Sequence, residues 1–258
     1  MCGHELRVNH ETEARAANSG RSNPKRVAIV QSNYIPWRGY FDIIGLADQF
    51  VLYDIVQFTK RDWRNRNRIK TAVGPQWLTI PVMTSGAFQQ TIAETRIADG
   101  SWAVKHWRSL SHAYSRAPYF EQYRPRLAEI YQSCGSMTLL SAVNRALIEF
   151  VSGELGLKTT ISDAVDYAVG DDRNGRLLEV CLALGAGIYV SGPSARGYLD
   201  IGRFRDVGIE VEFMDYSAYR PYPQLHGVFE PSVSVLDLLF NVGPEAPSYM
   251  LHPSQARS

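Results

Sequence analysis

RVAIVQSNYIPWRGYFDIIGLADQFVLYDIVQF, residues 26–58, decides the fold. Its opening run, residues 26–32, is short, apolar and β-branched, the pattern of a strand buried on both faces. Pro36 and Gly39 then break the chain in the loop NYIPWRGYFD. GYFDIIGLAD follows with Phe41, Ile44 and Ala47 at helical spacing, and QFVLYDIVQF, residues 49–58, is a second strand. Strand, loop, helix and strand in that order open a parallel βαβ unit, although the helix is short for a crossover.

Working outward, WLTIPV (residues 77–82) reads as a further strand after a turn at Gly74 and Pro75. Three helices follow. Ala103, Trp107, Leu110, Tyr114 and Ala117 mark the face of the first. The second starts near Pro125, placed in its first turn, and buries Leu127, Ile130, Tyr131 and Cys134. Leu140, Val143, Leu147 and Val151 stripe the third, from Thr138 to about Leu155. TTISDAV forms another strand, 173–184 a helix, 188–190 a buried strand with SGPSARG as its loop, and 209–216 a late strand. Ser234 and Asp237 stand at capping-box spacing before a last helix that Gly243 ends. The expected class is α/β: one domain with a mainly parallel sheet of about five strands and a helical C-terminal part. Residues 1–25 are expected to be a disordered tail, 26–243 the domain and 244–258 an extension.

Composition narrows the function classes. A formal net charge of +1 over 258 residues gives no whole-surface field for polyanions, although a local basic patch remains open. Three cysteines, Cys2, Cys134 and Cys181, form no C-x-x-C spacing and no disulfide framework. The expectation is a cytoplasmic chain with buried thiols. No run approaches the roughly 20 apolar residues of a membrane span, and no spaced His/Cys/Asp cluster argues for zinc or another metal. Glycine-rich dinucleotide and P-loop fingerprints are missing, as is G-x-S-x-G. The residues name no cofactor.

Four stretches carry chemistry. Gln31 and Asn33 offer amide edges directly after the first strand, with Tyr34 and Trp37 as flat walls; a rigid loop packed by its aromatics is the plainer reading. Asp54 ends the second strand, where a carboxylate orients a substrate, binds a metal, acts as a base, or caps a turn. KRDWRNRNRIK, residues 60–70, sets six basic side chains against one acid and interleaves Trp63, Asn65 and Asn67. Arginine grips phosphate and carboxylate bidentately and an aromatic stacks a ring, so anion binding competes with a solvated basic loop. Arg66 and Lys70 are expected to face the site, and Arg64 to face away. Ser191, Gly192, Ser194, Arg196 and Gly197 form a cradle or a plain turn. His226, in YPQLHG, is a candidate acid or base.

VAIVQSNYIPWRGYF, DQFVLYDIVQFTKRDWRNRNRIK, WLTIPV, AYSRAPYF, YVSGPSARGYL and SVLDLLFNVG together resemble the WbqC-like protein family over about residues 27–243. The resemblance maps onto Gln31, Tyr34, Pro36, Trp37, Gly39, Tyr40 and Phe41; onto Asp54, Gln57, Phe58, Trp63, Asn65, Arg66, Asn67 and Lys70; and onto Ser191, Gly192, Arg196 and Tyr198. It departs where Ser32 and Asn33 replace a Gln-Pro-x-Tyr context, and where Ile55 follows Asp54 in place of a second acid, which weakens a metal role. The family's association with O-antigen and natural-product clusters implies acyl or aminoacyl transfer to an amino sugar or similar polar metabolite. The implied partners are an anionic small molecule, such as a nucleotide, nucleotide sugar or activated acyl donor, and RNA if the donor is an aminoacyl-tRNA. A remoter likeness, to nucleotidylyl transferases of the pantothenate synthetase (HUP) type, implies an adenylating ligase or nucleotidyl transferase as the alternative, beside a non-catalytic anion-binding protein. The HIGH-type histidine motif of those enzymes is absent.

Overall fold

β1 (Arg26–Val30) lies at the centre of a five-stranded, all-parallel sheet in a computed structural model that describes residues 23–86, 89–170 and 172–251. The expected tail, apart from residues 23–25, and Cys2 lie outside these residues. β2 (Gln49–Leu52) and β6 (Ile188–Ser191) flank β1, with β5 (Thr160–Asp163) outside β2 and β7 (Glu210–Phe213) outside β6. Counted along this sheet alone, the strands run 3-2-1-4-5, the doubly wound arrangement that reverses direction beside its first strand.

Strand alternation produces the two faces. Ala28, Phe50, Leu52, Ile188 and Val190 enter one core. Val27, Ile29, Val51, Tyr53 and Tyr189 enter the other. The larger core is covered by α1 (Arg38–Leu46), α2 (Trp102–Tyr114), α3 (Phe120–Cys134), α4 (Leu140–Glu154) and α7 (Val235–Val242). The smaller is covered by α5 (Arg173–Ala183) and α6 (Ile201–Asp206), through Leu177, Val180, Cys181 and Phe204. Cys134 and Cys181 are buried free thiols whose pKa burial pushes to about 11 and about 12, the state of packing groups.

Three boundaries differ from the sequence reading. The basic segment and WLTIPV do not join the main sheet. They form an antiparallel hairpin, β3 (Arg66–Thr71) and β4 (Gly74–Thr79), which turns at Gly74 with φ +114°. Pro125 is inside α3, not in its first turn, because the helix already begins at Phe120. Ser234 caps α7 by accepting from the Leu236 N–H, but Asp237 turns inward to Tyr114 and Gln224 instead of closing a capping box. Gly243–Tyr249 form a 3-10 helix; Arg38 Nη1 donates to the Tyr249 carbonyl, and just beyond it the Leu251 N–H donates to Asp42. No helix among the described residues is long and apolar enough to cross a membrane.

Candidate functional site

Parallel strands deliver the loops after β1, β2, β5, β6 and β7 to one edge of the sheet, and the strand order reverses between β1 and β6, where doubly wound sheets bind ligands. At that edge the Ser32 backbone N–H donates to Asp54 Oδ1 at 2.8 Å. Asn144, from the buried face of α4, donates to Ser32 Oγ at 3.0 Å and to the Arg64 carbonyl at 2.9 Å. Asp54 is 4% exposed, and its Oδ2 has no hydrogen-bond partner. Burial raises its pKa; the Ser32 hydrogen bond and the Arg64 charge oppose that rise. Arg64 itself donates to Gln31 Oε1 and Asn33 Oδ1 and lies 3.6 Å from Asp62. Arg64 Nε and Asn144 Oδ1 are also buried without partners. Unmet polar capacity gathered this densely is uncommon in a native interior and marks a place where a ligand can complete the set.

The loop after β1 is held under strain. Ile35 has φ +36°, a rare conformation for a β-branched residue, costing on the order of 1–3 kcal/mol. The Asn67 amide fixes it by donating to the Tyr34 carbonyl at 3.1 Å and to the Ile35 carbonyl at 2.8 Å. The Tyr34 N–H donates to the Trp63 carbonyl, so the loop is stitched to the 62–68 segment on both sides. Between them opens a cleft of about 290 Å³ lined by Asn33, Pro36, Trp37, Trp63, Asn67, Pro231 and Ser232. Trp37 stands against Tyr216 and Tyr219, at 4.8 and 5.8 Å between ring centroids. Gly39 is required beneath it, since a Cβ there would lie 2.3 Å from the indole.

The hairpin sorts the basic side chains in a way that overturns one expectation. Arg64, read as facing away, points into the site. It precedes β3, in the turn residues, so strand alternation does not govern it. Arg66, read as facing the site, sits on the outer side of the hairpin, donating to the Arg61 carbonyl and stacking 4.1 Å from the centre of the Trp77 ring. Lys70 is buried: its ammonium donates to Gln224 Oε1 at 2.7 Å and to the Val228 carbonyl, pinning the loop whose end forms the Pro231 wall. Asn65 donates to the Ile80 carbonyl and Asn67 to the β1 loop, so both organise backbone.

The other expected site residues have the following surroundings. Tyr34 is fully buried, with its hydroxyl 2.8 Å from both His106 Nδ1 and Tyr131 Oη. Gln57 bridges to Thr91 in a strand contact. His226 has its Nε2 3.0 Å from the Ala113 carbonyl. Ser191 and Gly192 do reach the carboxyl edge at the end of β6, but neither Gly192 nor Gly197 uses a positive φ, and the 193–197 stretch is a short 3-10 turn. Ser194 and Tyr198 lie exposed on it, and Arg196 packs 4.4 Å from the Phe213 ring centre. Ser32 and Arg64 were missed although both stand inside quoted motifs. Asn144 had one signal, an amide beside Val143 on an otherwise apolar stripe. No group of three or more His, Cys, Asp or Glu among the described residues is placed to hold a metal.

A doubly wound α/β domain with a polar centre at the carboxyl edge of its sheet and a tryptophan-walled cleft beside it is the class defined by this geometry. The chain belongs to the WbqC-like protein family, whose match spans residues 31–249. It is also 51% identical over 231 residues to "Uncharacterized protein Rv1507c" of Mycobacterium tuberculosis (strain ATCC 25618 / H37Rv), an alignment covering 90% of this chain and 100% of that protein. No solved structure matches the chain.

Proposed function

We propose that this protein is a transferase that moves an acyl or aminoacyl group from an activated donor to the amine of an amino sugar or a similar polar metabolite. The observation that carries this reading is the Asp54 carboxylate, with one oxygen fixed by Ser32 and the other buried and unpaired beside Arg64. A buried carboxylate with a raised pKa is a stronger base than a solvated one. Asp54 Oδ2 takes the proton as the amine nitrogen bonds to the donor carbonyl carbon. The bond from that carbon to the leaving oxygen or sulfur then breaks, and the proton passes to the leaving atom. Arg64 and the Gln31 amide are the donors suited to the oxyanion that forms in between. Oδ2 is buried from water. The acceptor reaches it when Arg64 leaves Gln31 and Asn33 for an anionic ligand.

The test is a turnover screen of purified protein with amino-sugar acceptors against acyl-coenzyme A and aminoacyl-tRNA donors, run beside Asp54→Asn. Turnover by the parent and none by the variant, at equal ligand binding, is expected. Ligand binding with no turnover from any donor would favour a protein that holds an anion without transforming it.

A further inference from the structure

The cleft is small and mainly apolar, with Ser232 as a polar side chain beside Asn33 and Asn67. About 290 Å³ is at the low end of ligand pockets, roughly 300–1,000 Å³, and fits one ring system, not a whole nucleotide sugar or coenzyme. Its walls are Trp37, Trp63, Pro36 and Pro231. The Asn67 side chain is already spent: the amide nitrogen serves two carbonyls, and Oδ1 accepts from the Arg68 N–H at 2.7 Å. Asn33 Oδ1 is likewise taken by Arg64. A sugar ring would bring hydroxyls with few partners to meet them, whereas a flat heteroaromatic ring needs mainly faces.

What lies beside Trp63 gives the rest of the ligand. Trp63 and Trp77 are 41% and 42% exposed, unusual for so large an apolar side chain, and their rings meet at 5.3 Å. Arg66 and Arg68 project from the same face of β3, with their guanidinium carbons 4.1 and 5.7 Å from the Trp77 ring centre. Arg68 also lies 3.8 Å from Glu230, too far for a close hydrogen-bonded pair. Aromatic faces for a base next to guanidinium groups for its phosphates are the two components of nucleotide and single-strand recognition.

We infer that the Trp63 side of the cleft binds the base of a nucleotide, with Arg66 and Arg68 holding its phosphates. The inference deepens the transferase reading, on which it rests only in making the nucleotide the carrier of the donor group. The same chemistry is presented by a small nucleotide coenzyme and by an RNA end.

Equilibrium binding to the full chain tests it, with adenosine 5′-monophosphate, ribose 5-phosphate, coenzyme A and an RNA trinucleotide as probes. The nucleotide should bind more tightly than ribose 5-phosphate. Trp63→Leu should remove about 5- to 150-fold of nucleotide affinity while leaving ribose 5-phosphate unchanged, and Trp63→Phe should restore most of it. Arg66→Gln with Arg68→Gln should weaken every phosphate-bearing probe and flatten the salt dependence. Thermal unfolding of each variant confirms that it is folded. Tighter binding of the trinucleotide, with a steeper salt dependence, assigns an RNA carrier. Coenzyme A matching the mononucleotide, with no gain for the trinucleotide, assigns a small one. Equal affinity for nucleotide and ribose 5-phosphate, indifference to Trp63→Leu, or no binding at millimolar nucleotide overturns the inference. Turnover from a nucleotide-free thioester donor alongside such a failure would leave the transferase reading standing. Nucleotide binding without turnover would do the reverse.

Discussion

Ser32 and Asp54 are joined across the carboxyl edge of the sheet by a 2.8 Å hydrogen bond from backbone N–H to Oδ1, and the other oxygen of that carboxylate has no partner. Adjacent parallel strands make this contact: Val30 is in register with Leu52, so residues two beyond each strand end arrive together. The geometry places a carboxylate at the edge where a parallel sheet binds ligands, at the cost of burying a charge.

Asp54→Asn separates those two effects. The amide oxygen can still accept from Ser32, so folding is expected to be retained. Because burial raises the folded pKa above the usual 3.8, the ionised group destabilises the native state as pH rises through that folded pKa. The variant should therefore be at least as stable as the parent at pH 7 in urea titration. Turnover should fall by 100-fold or more, on the order of general-base contributions. In the parent, activity should be lost on acidification at a higher pH than an ordinary carboxylate would give.

Arg64 and Arg66 should trade the roles that their spacing suggests. Arg64→Ala removes the group that touches Gln31 and Asn33, and kcat/KM should fall roughly 100-fold. Arg66→Ala leaves that centre intact; kcat should change less than about threefold, with the effect confined to donor KM. Steady-state kinetics on both variants checks the order, and a larger kcat loss for Arg66→Ala would refute it.

The Lys70 ammonium, Gln224 and the Asp237 carboxylate form a chain beneath the cleft's far wall, with Gln224 Nε2 2.8 Å from Asp237 Oδ1 and the Tyr114 hydroxyl 2.8 Å from its Oδ2. Asp237→Ala strips the acceptor from both donors in a buried place, and about 3 kcal/mol of stability should be lost. Lys70→Met should cost about 1–3 kcal/mol and also weaken ligand binding, because the 224–232 loop loses its anchor. Urea denaturation and ligand titration of the two variants measure these separately.

His106 sets an acid limit on stability. Burial lowers its pKa from 6.5 to about 4, so between those values the unfolded chain binds the extra proton and the folded chain does not. Stability therefore rises with pH across this window and is lost on acidification, by about 3 kcal/mol between pH 6.5 and 4. Asp54 and Asp237, whose pKa values are raised by burial, act in the opposite sense. His106→Gln should flatten the fall, as read by urea midpoints at pH 4.5 and 7.

The parallel sheet was legible because apolar runs such as Val27–Val30 and Phe50–Leu52 are local and self-announcing, and a right-handed crossover leaves few ways to join them. The loops expected at the site were legible for the same reason: once strands are parallel, their ends share an edge. The 60–70 segment was not. Its six basic residues look alike in sequence, yet one faces Gln31, two flank Trp77 and one is buried on Gln224. Nothing local distinguishes them, because a charged side chain's direction is set by where β3 begins and by partners distant in the chain.

By itself, then, the chain determined the strands of its main sheet, most of its helices, the family it resembles and the edge on which its polar loops meet, since these follow from short-range periodicity and chain connectivity. Only the tertiary structure decided that Tyr34, Asn67 and Lys70 hold backbone and loops in place while Arg64 reaches Gln31 beside the buried Asp54. Burial and hydrogen-bond partnership are properties of residues brought together from 31 to 237, and no window of sequence contains them.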